Sequence, residues 1–245
     1  MPRELLVLRE LTVRFGALAA VDRVSLSVGE GERRALIGPN GAGKSTVFAA
    51  VAGALRPSSG RIEFAGRDVT KLSEPRRARL GIGRTFQHSS LFTGLTCLEN
   101  VTLAVRARQG LGLRAWLPRG RRAEIEREAA GHLAAMGVEP GGPAGALSHG
   151  QGRRLELAMA LAARPRLLLL DEPAAGMSAA ESAELASLVR ALPPELTVMI
   201  VEHDLDLVFA VASRVTALAA GQVIADGTPA QVRASPEVQK AYLGT

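Results

Sequence analysis

The sequence contains a single cysteine, Cys97, among its 245 residues. One cysteine cannot build a disulfide framework, and nothing at the amino terminus resembles a signal peptide, so a reducing cytoplasm is the expected compartment. No apolar run approaches the length of about 18 to 20 residues that is needed to cross a bilayer. We therefore expect a chain that does not span a membrane, although it can dock on a protein that does.

Aromatic residues make up only 3% of the chain, and lysine occurs only at Lys44, Lys71 and Lys240. Arginine therefore supplies almost all of the positive charge behind the net charge of +6. This preference for arginine over lysine is as typical of a genome-wide compositional bias as of an adaptation for binding. Because so few rings are available to stack on bases, we expect no nucleic-acid partner. The hydrophobic content of 47% suffices for one large domain or two small ones.

One stretch, Gly38-Pro39-Asn40-Gly41-Ala42-Gly43-Lys44-Ser45-Thr46, fits the phosphate-binding pattern Gly-x-x-x-x-Gly-Lys-Ser/Thr. Glycine lets the backbone N–H groups of such a loop turn inward, and the helix that Lys44 opens adds the positive potential of its N-terminus. We expect Lys44 to reach the β- and γ-phosphates of a nucleotide and Ser45 to offer its hydroxyl to Mg²⁺. The sequence therefore predicts a nucleoside triphosphate site.

Short strand patterns precede this loop at residues 5–8, 11–15 and 24–28, and another follows at residues 61–64. Phe15, at the end of one strand, could stack on an adenine base or could be an ordinary core residue, and its position leaves both open.

A further strand candidate over residues 83–86 delivers Gln87 at its end. This glutamine could ligate Mg²⁺ or orient the water that attacks a phosphate. Taken alone, it is more typical of a solvated loop residue.

Between residues 88 and 163 the pattern changes to helices rich in Ala, Leu, Arg and Glu, which predicts an inserted helical subdomain. Within it, arginines surround Trp116 in a stretch that glycine and proline interrupt; they are Arg106, Arg108, Arg114, Arg119, Arg121 and Arg122. This stretch could lie close to lipid headgroups or to a membrane partner. A solvated loop with the tryptophan packed on its own helix is the favoured interpretation, because charge clusters are normally solvated.

The segment Leu147-Ser148-His149-Gly150-Gln151 leads into a helical pattern over residues 154–163. Ser148 and Gln151 have the spacing of a capping box, which is typical of an ordinary helix start. The same features also favour an anion site, because a helix N-terminus presents N–H groups and a positive end. Spacing alone does not choose between the two interpretations.

Four leucines at residues 167–170 predict a strand buried on both faces of a largely parallel sheet, and Asp171 and Glu172 follow it. Because α/β sheets bind ligands at the carboxyl ends of their strands, we expect Asp171 to hold Mg²⁺ and Glu172 to polarise the attacking water. Side-chain alternation along the strand is expected to point these carboxylates in different directions. A second buried strand, residues 197–201, delivers His203 to the same edge, where contact with the γ-phosphate is favoured over a structural role.

In this order the segments resemble the ATP-binding cassette family along nearly the whole chain. The resemblance matches Phe15 to the adenine-stacking aromatic, residues 38–46 to the phosphate loop, Gln87 to the Q-loop, residues 147–151 to the signature motif, residues 167–172 to the Walker B strand with its catalytic glutamate, and His203 to the switch histidine. It implies that ATP and Mg²⁺ are held between two head-to-tail cassettes. Ser148, Gly150 and Gln151 of one cassette would then complete the nucleotide pocket of the other.

Finer features are similar to the LivG-type ATP-binding subunits of bacterial branched-chain amino-acid importers: residues 15–18, 84–87, 172–177, 201–204 and 241–244. That branch also serves importers of urea, amides and other amino acids. The resemblance implies transmembrane permease subunits, a second cassette that is identical or related, and indirectly an extracytoplasmic solute-binding protein. It places the chain on the cytoplasmic face of the membrane.

Two competing functions are disfavoured. A cassette acting on ribosomes or DNA usually carries tandem cassettes or long coiled coils, and neither occurs here. A kinase or GTPase does not carry the signature motif or the glutamate after Asp171.

Two positions depart from the wider family. His149 stands where glycine is usual, so its side chain must point away from the phosphate, and Ser178 replaces an acidic residue of the D-loop. The expected fold is a single α/β P-loop NTPase domain with a mixed, largely parallel core sheet. Residues 1–87 and 164–245 are expected to form this core with an N-terminal antiparallel β subdomain, and residues 88–163 the helical signature subdomain.

Overall fold

The computed structural model describes residues 3–85, 91–112 and 118–243. Strands in these ranges form one sheet of four strands and one of six. The four-stranded sheet is antiparallel, with the order β2-β1-β4-β5. Its strands are β1 Glu4–Phe15, β2 Leu18–Gly29, β4 Ser59–Phe64 and β5 Arg67–Asp68. This sheet is the predicted N-terminal antiparallel β subdomain.

The two strands predicted at residues 5–8 and 11–15 are a single strand, β1, so that prediction was wrong. The pairing of β1 with β2 shifts register between Leu8 and Leu11. At this shift Glu10 has a positive φ of 47°, and its N–H donates to the Ser25 hydroxyl. The polar residues that interrupt the apolar pattern therefore form a bulge rather than a turn. Likewise, the strand predicted at residues 24–28 is the end of the longer β2.

The six-stranded sheet has the order β10-β9-β3-β8-β7-β6, in which only the edge strand β10 is antiparallel to its neighbour. Its strands are β3 Arg33–Ile37, β6 Ile82–Arg84, β7 Leu167–Asp171, β8 Thr197–Val201, β9 Arg214–Ala219 and β10 Gln222–Gly227. The predicted mixed, largely parallel sheet is confirmed, and the hairpin of β9 and β10 closes it. Because β3, β7 and β8 run in parallel, the segments that follow them leave the same edge of the sheet.

The helices within the described ranges are α1 Lys44–Ala52, α2 Glu74–Leu80, α3 Cys97–Arg108, α4 Arg119–Ala135, α5 His149–Ala162, α6 Ala179–Arg190, α7 Leu205–Val211, α8 Pro229–Arg233 and α9 Pro236–Leu243. None of these is long and apolar enough to cross a bilayer. Helix α5 begins at His149, five residues before the predicted start, because Ser148 already caps it. Helix α9, over Pro236–Leu243, is the last element of the described residues.

Strand β7 contributes to two hydrophobic cores. Leu167 and Leu169 belong to the core shared with the antiparallel sheet and α1, whereas Leu168 and Leu170 belong to the core shared with α3, α4, α5 and α6. Both faces of the strand are therefore covered, which explains the four consecutive leucines. Helices α3, α4 and α5 lie between β6 and β7 in the chain, within the segment predicted as the helical subdomain, and its exact boundaries stay a prediction.

A buried arginine holds the far end of α1. The Arg77 guanidinium is 1% exposed and donates to the carbonyl oxygens of Ala50 at 2.6 Å and Val51 at 2.8 Å. These are among the last carbonyls of the helix, where a positive charge is stabilised by the helix dipole. Burial lowers the pKa of Arg77 to about 10, so it stays charged at neutral pH. Helix α1 is thus fixed at the end opposite its glycine-rich start.

Candidate functional site

The glycine-rich loop connects β3 to α1, which begins at Lys44 as predicted. Gly43 caps α1 with a φ of 100°, in the left-handed region that favours glycine. A Cβ at Gly43 would overlap the carbonyl oxygen of Ala20, and one at Gly38 would overlap that of Leu218. Backbone from β2 and β9 therefore encloses the loop on two sides, so larger side chains cannot be accommodated at either glycine.

Lys44, the first residue of α1, lies back over the loop. Its ammonium donates to the carbonyl oxygens of Gly38 at 2.7 Å and Pro39 at 2.9 Å, and its side chain is buried. Burial lowers the pKa of Lys44, while the negative charges of Glu172 and Asp171 act in the opposite direction. The structure therefore brings the predicted lysine and both predicted carboxylates together.

Asp171 ends β7 with its side chain only 1% exposed. One carboxylate oxygen, Oδ2, accepts a hydrogen bond from the Arg84 guanidinium at 2.8 Å. The other, Oδ1, is buried and has no hydrogen-bond partner among the described residues. A buried carboxylate oxygen normally has a partner, so Oδ1 is available to a cation. Arg84 was not singled out for this contact, because β6 and β7 are adjacent only in the folded sheet.

Glu172 leaves the strand with a φ of 47°. Its N–H donates to the Val201 carbonyl at 2.9 Å, and its side chain is partly exposed. The prediction that strand alternation extends to Glu172 was therefore wrong. Strand β7 ends at Asp171, and a left-handed residue rather than strand alternation follows it.

The described residues include oxygen atoms that could ligate a Mg²⁺ ion bound to a nucleotide. No group of three or more His, Cys, Asp or Glu side chains that could hold a metal occurs in the described part of the chain. A nucleotide-bound Mg²⁺ does not need such a group, because phosphates and water supply most of its ligands. The exposed hydroxyl of Ser45 and the free Oδ1 of Asp171 fit this donor set. Gln87, the third predicted ligand, lies outside the described residues.

His203 follows β8 on the same edge of the sheet. Its side chain is 65% exposed, and its Nδ1 lies 3.8 Å from the carboxylate of Glu202. The ring is therefore not packed in the core, and its contact with a γ-phosphate stays a prediction.

One aromatic side chain is exposed at the end of β1, and another contacts the glycine-rich loop. Phe15 is 53% exposed, so the alternative that it is a core residue was wrong, and an adenine-stacking role stays a prediction. The hydroxyl of Tyr242, in α9, accepts a hydrogen bond from the Gly38 N–H at 2.8 Å. Sequence reasoning assigned Tyr242 no contact, because nothing local to the chain terminus indicates that α9 reaches a loop two hundred residues earlier.

Ser148 caps α5, and the predicted capping box is confirmed. The Ser148 hydroxyl accepts from the Gln151 N–H at 3.3 Å, and the Gln151 side chain accepts from the Ser148 N–H at 3.0 Å. Both side chains are exposed at the helix tip. A cavity of about 330 Å³ lies beside this tip, and its described lining contains Ser148, Gly150 and Gln151 but no residue of the glycine-rich loop. Within one chain, the helix tip and the loop therefore do not share this cavity.

The two positions that depart from the family pattern make local contacts. The His149 ring lies 2.8 Å, through Nε2, from the carbonyl oxygen of Ala175. Ser178 caps α6, and its hydroxyl accepts from the N–H of Glu181. Ser178 thus has a helix-capping role in this chain, and His149 joins α5 to the turn after Glu172.

Arginines of the predicted basic stretch pair with nearby acids or polar groups. Arg108 contacts Glu128 at 2.8 Å, and Arg121 contacts Glu124 at 2.6 Å. Arg122 contacts Glu126 at 2.9 Å. These pairs support the solvated interpretation for the described arginines. Arg114 and Trp116 lie outside the described residues.

Comparison with sequence families gives two matches. The profile described as "ABC transporter" matches residues 21–175, which contain the glycine-rich loop, the tip of α5 and the carboxylates of Asp171 and Glu172. The profile described as "Branched-chain amino acid ATP-binding cassette transporter" matches residues 222–245, which contain α9 and Tyr242.

Curated relatives match over their whole length. The high-affinity branched-chain amino acid transport ATP-binding protein BraF of Pseudomonas aeruginosa is 41% identical over 100% of this chain and 99% of its own. The corresponding protein LivG of Escherichia coli K12 is 39% identical with the same coverage.

Solved structures share the fold. A nucleotide-free ATP-binding cassette from an ABC transporter superposes with a TM-score of 0.86 and 29% identity, over 99% of this chain and 100% of that one. A dimeric post-hydrolysis state of an ATP-binding cassette bound to ADP and Pi superposes with a TM-score of 0.78 and 25% identity, over 91% and 98%.

Proposed function

Because the chain belongs to the ABC transporter family, and is an ABC ATPase of the P-loop fold, we propose that it powers a branched-chain amino-acid importer. The observation that carries this proposal is the full-length similarity, near 40%, to ATP-binding proteins named for that transport. The match of residues 222–245 to the branched-chain profile supports the same solute class.

In this proposal ATP binds over the loop of residues 38–46. The N–H groups of the loop and the N-terminus of α1 hold the phosphates, and the Lys44 ammonium neutralises part of their charge. Ser45 and Asp171 would hold Mg²⁺, which supplies further neutralisation of the β- and γ-phosphates. Phe15, exposed at the end of β1, offers its ring to the adenine. Gln87 keeps its predicted role as a magnesium ligand or as a residue that orients the water.

Glu172 acts on the attacking water. Its carboxylate accepts a proton as the water oxygen bonds to the γ-phosphorus, while the bond from that phosphorus to the β–γ bridging oxygen breaks and ADP and phosphate form. His203, exposed at the same edge, donates a hydrogen bond to the γ-phosphate and helps to disperse its charge. Asp171, which the Arg84 guanidinium holds in place, would ligate Mg²⁺ rather than act as the general base.

The pocket is completed by a second cassette. The Ser148 hydroxyl, the N–H groups near Gly150 and Gln151, and the positive end of α5 form an anion site that lies apart from the glycine-rich loop of its own chain. A head-to-tail partner would bring this tip onto the γ-phosphate. The solved dimer bound to ADP and Pi supports pairing of such cassettes. Permease subunits would anchor the pair at the inner face of the membrane, and a solute-binding protein would act through them.

The test is to purify the tagged chain from native membranes and identify the proteins that remain with it. We expect permease subunits and one identical or related cassette. Reconstituted into vesicles, the assembly should hydrolyse ATP faster when its solute-binding protein carries leucine, isoleucine or valine. Stimulation by urea or amides alone would contradict the proposed solute, and recovery with nucleic acid or ribosomes instead of permeases would contradict a transport role. The Glu172→Gln variant of the same assembly controls for contaminating ATPases.

A further inference from the structure

Glu202 is a fully buried carboxylate that has no part in the chemistry described above. It follows β8 directly, and its side chain is 0% exposed. Burial raises the pKa of Glu202, and hydrogen bonds from backbone N–H groups oppose that rise. A buried carboxylate is costly unless its oxygens are well partnered. The groups that donate hydrogen bonds to Glu202 therefore indicate which segments of the chain it stabilises.

The two oxygens of Glu202 accept hydrogen bonds from two different loops. Oε1 accepts from the Ala174 N–H at 2.9 Å. Oε2 accepts from the His203 N–H at 3.1 Å and from the Asp204 N–H at 3.4 Å. The carboxylate thus joins the turn that follows β7 to the turn that follows β8.

Each of these turns carries a proposed catalytic side chain. Ala174 lies in the turn that Glu172 begins, and this turn is closed by a hydrogen bond from the Ala175 N–H to the Glu172 carbonyl at 3.1 Å. The other turn presents His203. The bond from the Glu172 N–H to the Val201 carbonyl joins the two turns only where they leave the sheet. Beyond that point neither turn belongs to a strand or helix, and Glu202 supplies the further link between them.

We propose that Glu202 is a positioning residue, which holds the turn of Glu172 and the turn of His203 at a fixed separation without touching the nucleotide. The inference rests on the proposed function, because it supposes that Glu172 and His203 act on one γ-phosphate. A carboxylate suits this role because it is an acceptor at both oxygens. Charge-assisted hydrogen bonds to backbone N–H groups are also stronger than those of an amide.

The Glu202→Gln substitution tests this role with almost no change in shape. Glutamine keeps one acceptor oxygen but presents an NH₂ group to the other turn, so it can hold only one of the two turns. We expect the kcat for ATP hydrolysis to fall by about 10- to 100-fold, because small misplacements of catalytic groups cost that much. The Kd for ATP should change by less than about twofold, since the glycine-rich loop is untouched.

Glu156→Gln is the matched control. Glu156 is also a buried carboxylate, 6% exposed, but it lies in α5 and pairs with Arg153. We expect this variant to lose thermal stability without a selective fall in kcat. If Glu202→Gln and Glu156→Gln lower the melting temperature and leave kcat equally unaffected, Glu202 is merely structural and the inference is overturned.

Glu202→Asp gives a second test should the glutamine variant fold poorly. It keeps the charge but shortens the side chain by one methylene, so it cannot reach both turns, and the same fall in kcat at unchanged ATP affinity is expected. A kcat within twofold of the parent value would contradict the inference. A Glu172→Gln variant that still turns over ATP would instead contradict the proposed function, so the two failures are distinguishable.

Discussion

The Glu172→Gln variant is expected to bind ATP with near-normal affinity and to lose turnover by about 100-fold or more. Glutamine has the size of glutamate but cannot accept a proton from water, and general-base catalysis typically contributes about 10² to 10⁴ in rate. The side chain leaves the strand at a left-handed residue with a φ of 47°, and glutamine tolerates this backbone as well as glutamate does. Phosphate release and ATP binding, measured on the same preparation, check both halves of the prediction.

The same variant should accumulate a paired state in the presence of ATP and Mg²⁺, because ATP bound between two cassettes would hold the pair together and this variant does not hydrolyse it. Size-exclusion chromatography with light scattering would detect it. Glu124→Gln, a change in an exposed carboxylate of α4 that pairs with Arg121, is a suitable comparison and should keep its turnover. Undiminished turnover in Glu172→Gln would remove Glu172 from the mechanism.

The Lys44→Ala variant is expected to lose ATP affinity itself. The Lys44 ammonium is buried over the loop, where it donates to the carbonyls of Gly38 and Pro39. In the proposed complex this buried positive charge attracts the negative phosphates of ATP, and alanine removes that attraction. Hydrogen bonds that involve charged groups contribute roughly 1.5 to 3 kcal/mol, which corresponds to a loss of about 10- to 100-fold in affinity. Calorimetric titration with ATP would measure it.

Lys71→Ala is the control for that loss, since it removes the same charge from an exposed position. It should bind ATP normally. Normal ATP affinity in Lys44→Ala would place the nucleotide somewhere other than the glycine-rich loop.

Features set by local sequence were predicted well. The loop of residues 38–46 is identifiable because its glycines, lysine and hydroxyl stand at fixed spacing, and the structure starts α1 at Lys44 as expected. The capping box of Ser148 and the buried strand before Asp171 are likewise determined by neighbours in the chain. The bulge at Glu10 was missed, because polar residues inside a strand and polar residues in a turn interrupt an apolar pattern in the same way.

Features set by contacts across the fold were not predictable. Arg84 meets Asp171 only because β6 and β7 are neighbours in the sheet. Tyr242 reaches Gly38, and Glu202 reaches Ala174, through packing of segments that are distant in the chain. A lone tyrosine or glutamate carries no spacing that indicates such a partner, so its role follows from the structure alone.

A high-resolution structure of the Glu172→Gln variant with ATP and Mg²⁺ would test directly whether triphosphate is clamped between two copies. We predict a closed head-to-tail pair in which the Ser148 hydroxyl of each copy lies within hydrogen-bonding distance, about 3 Å, of the γ-phosphate on its partner's glycine-rich loop. A closed pair with nucleotide bound but with Ser148 remote from both γ-phosphates would contradict the account.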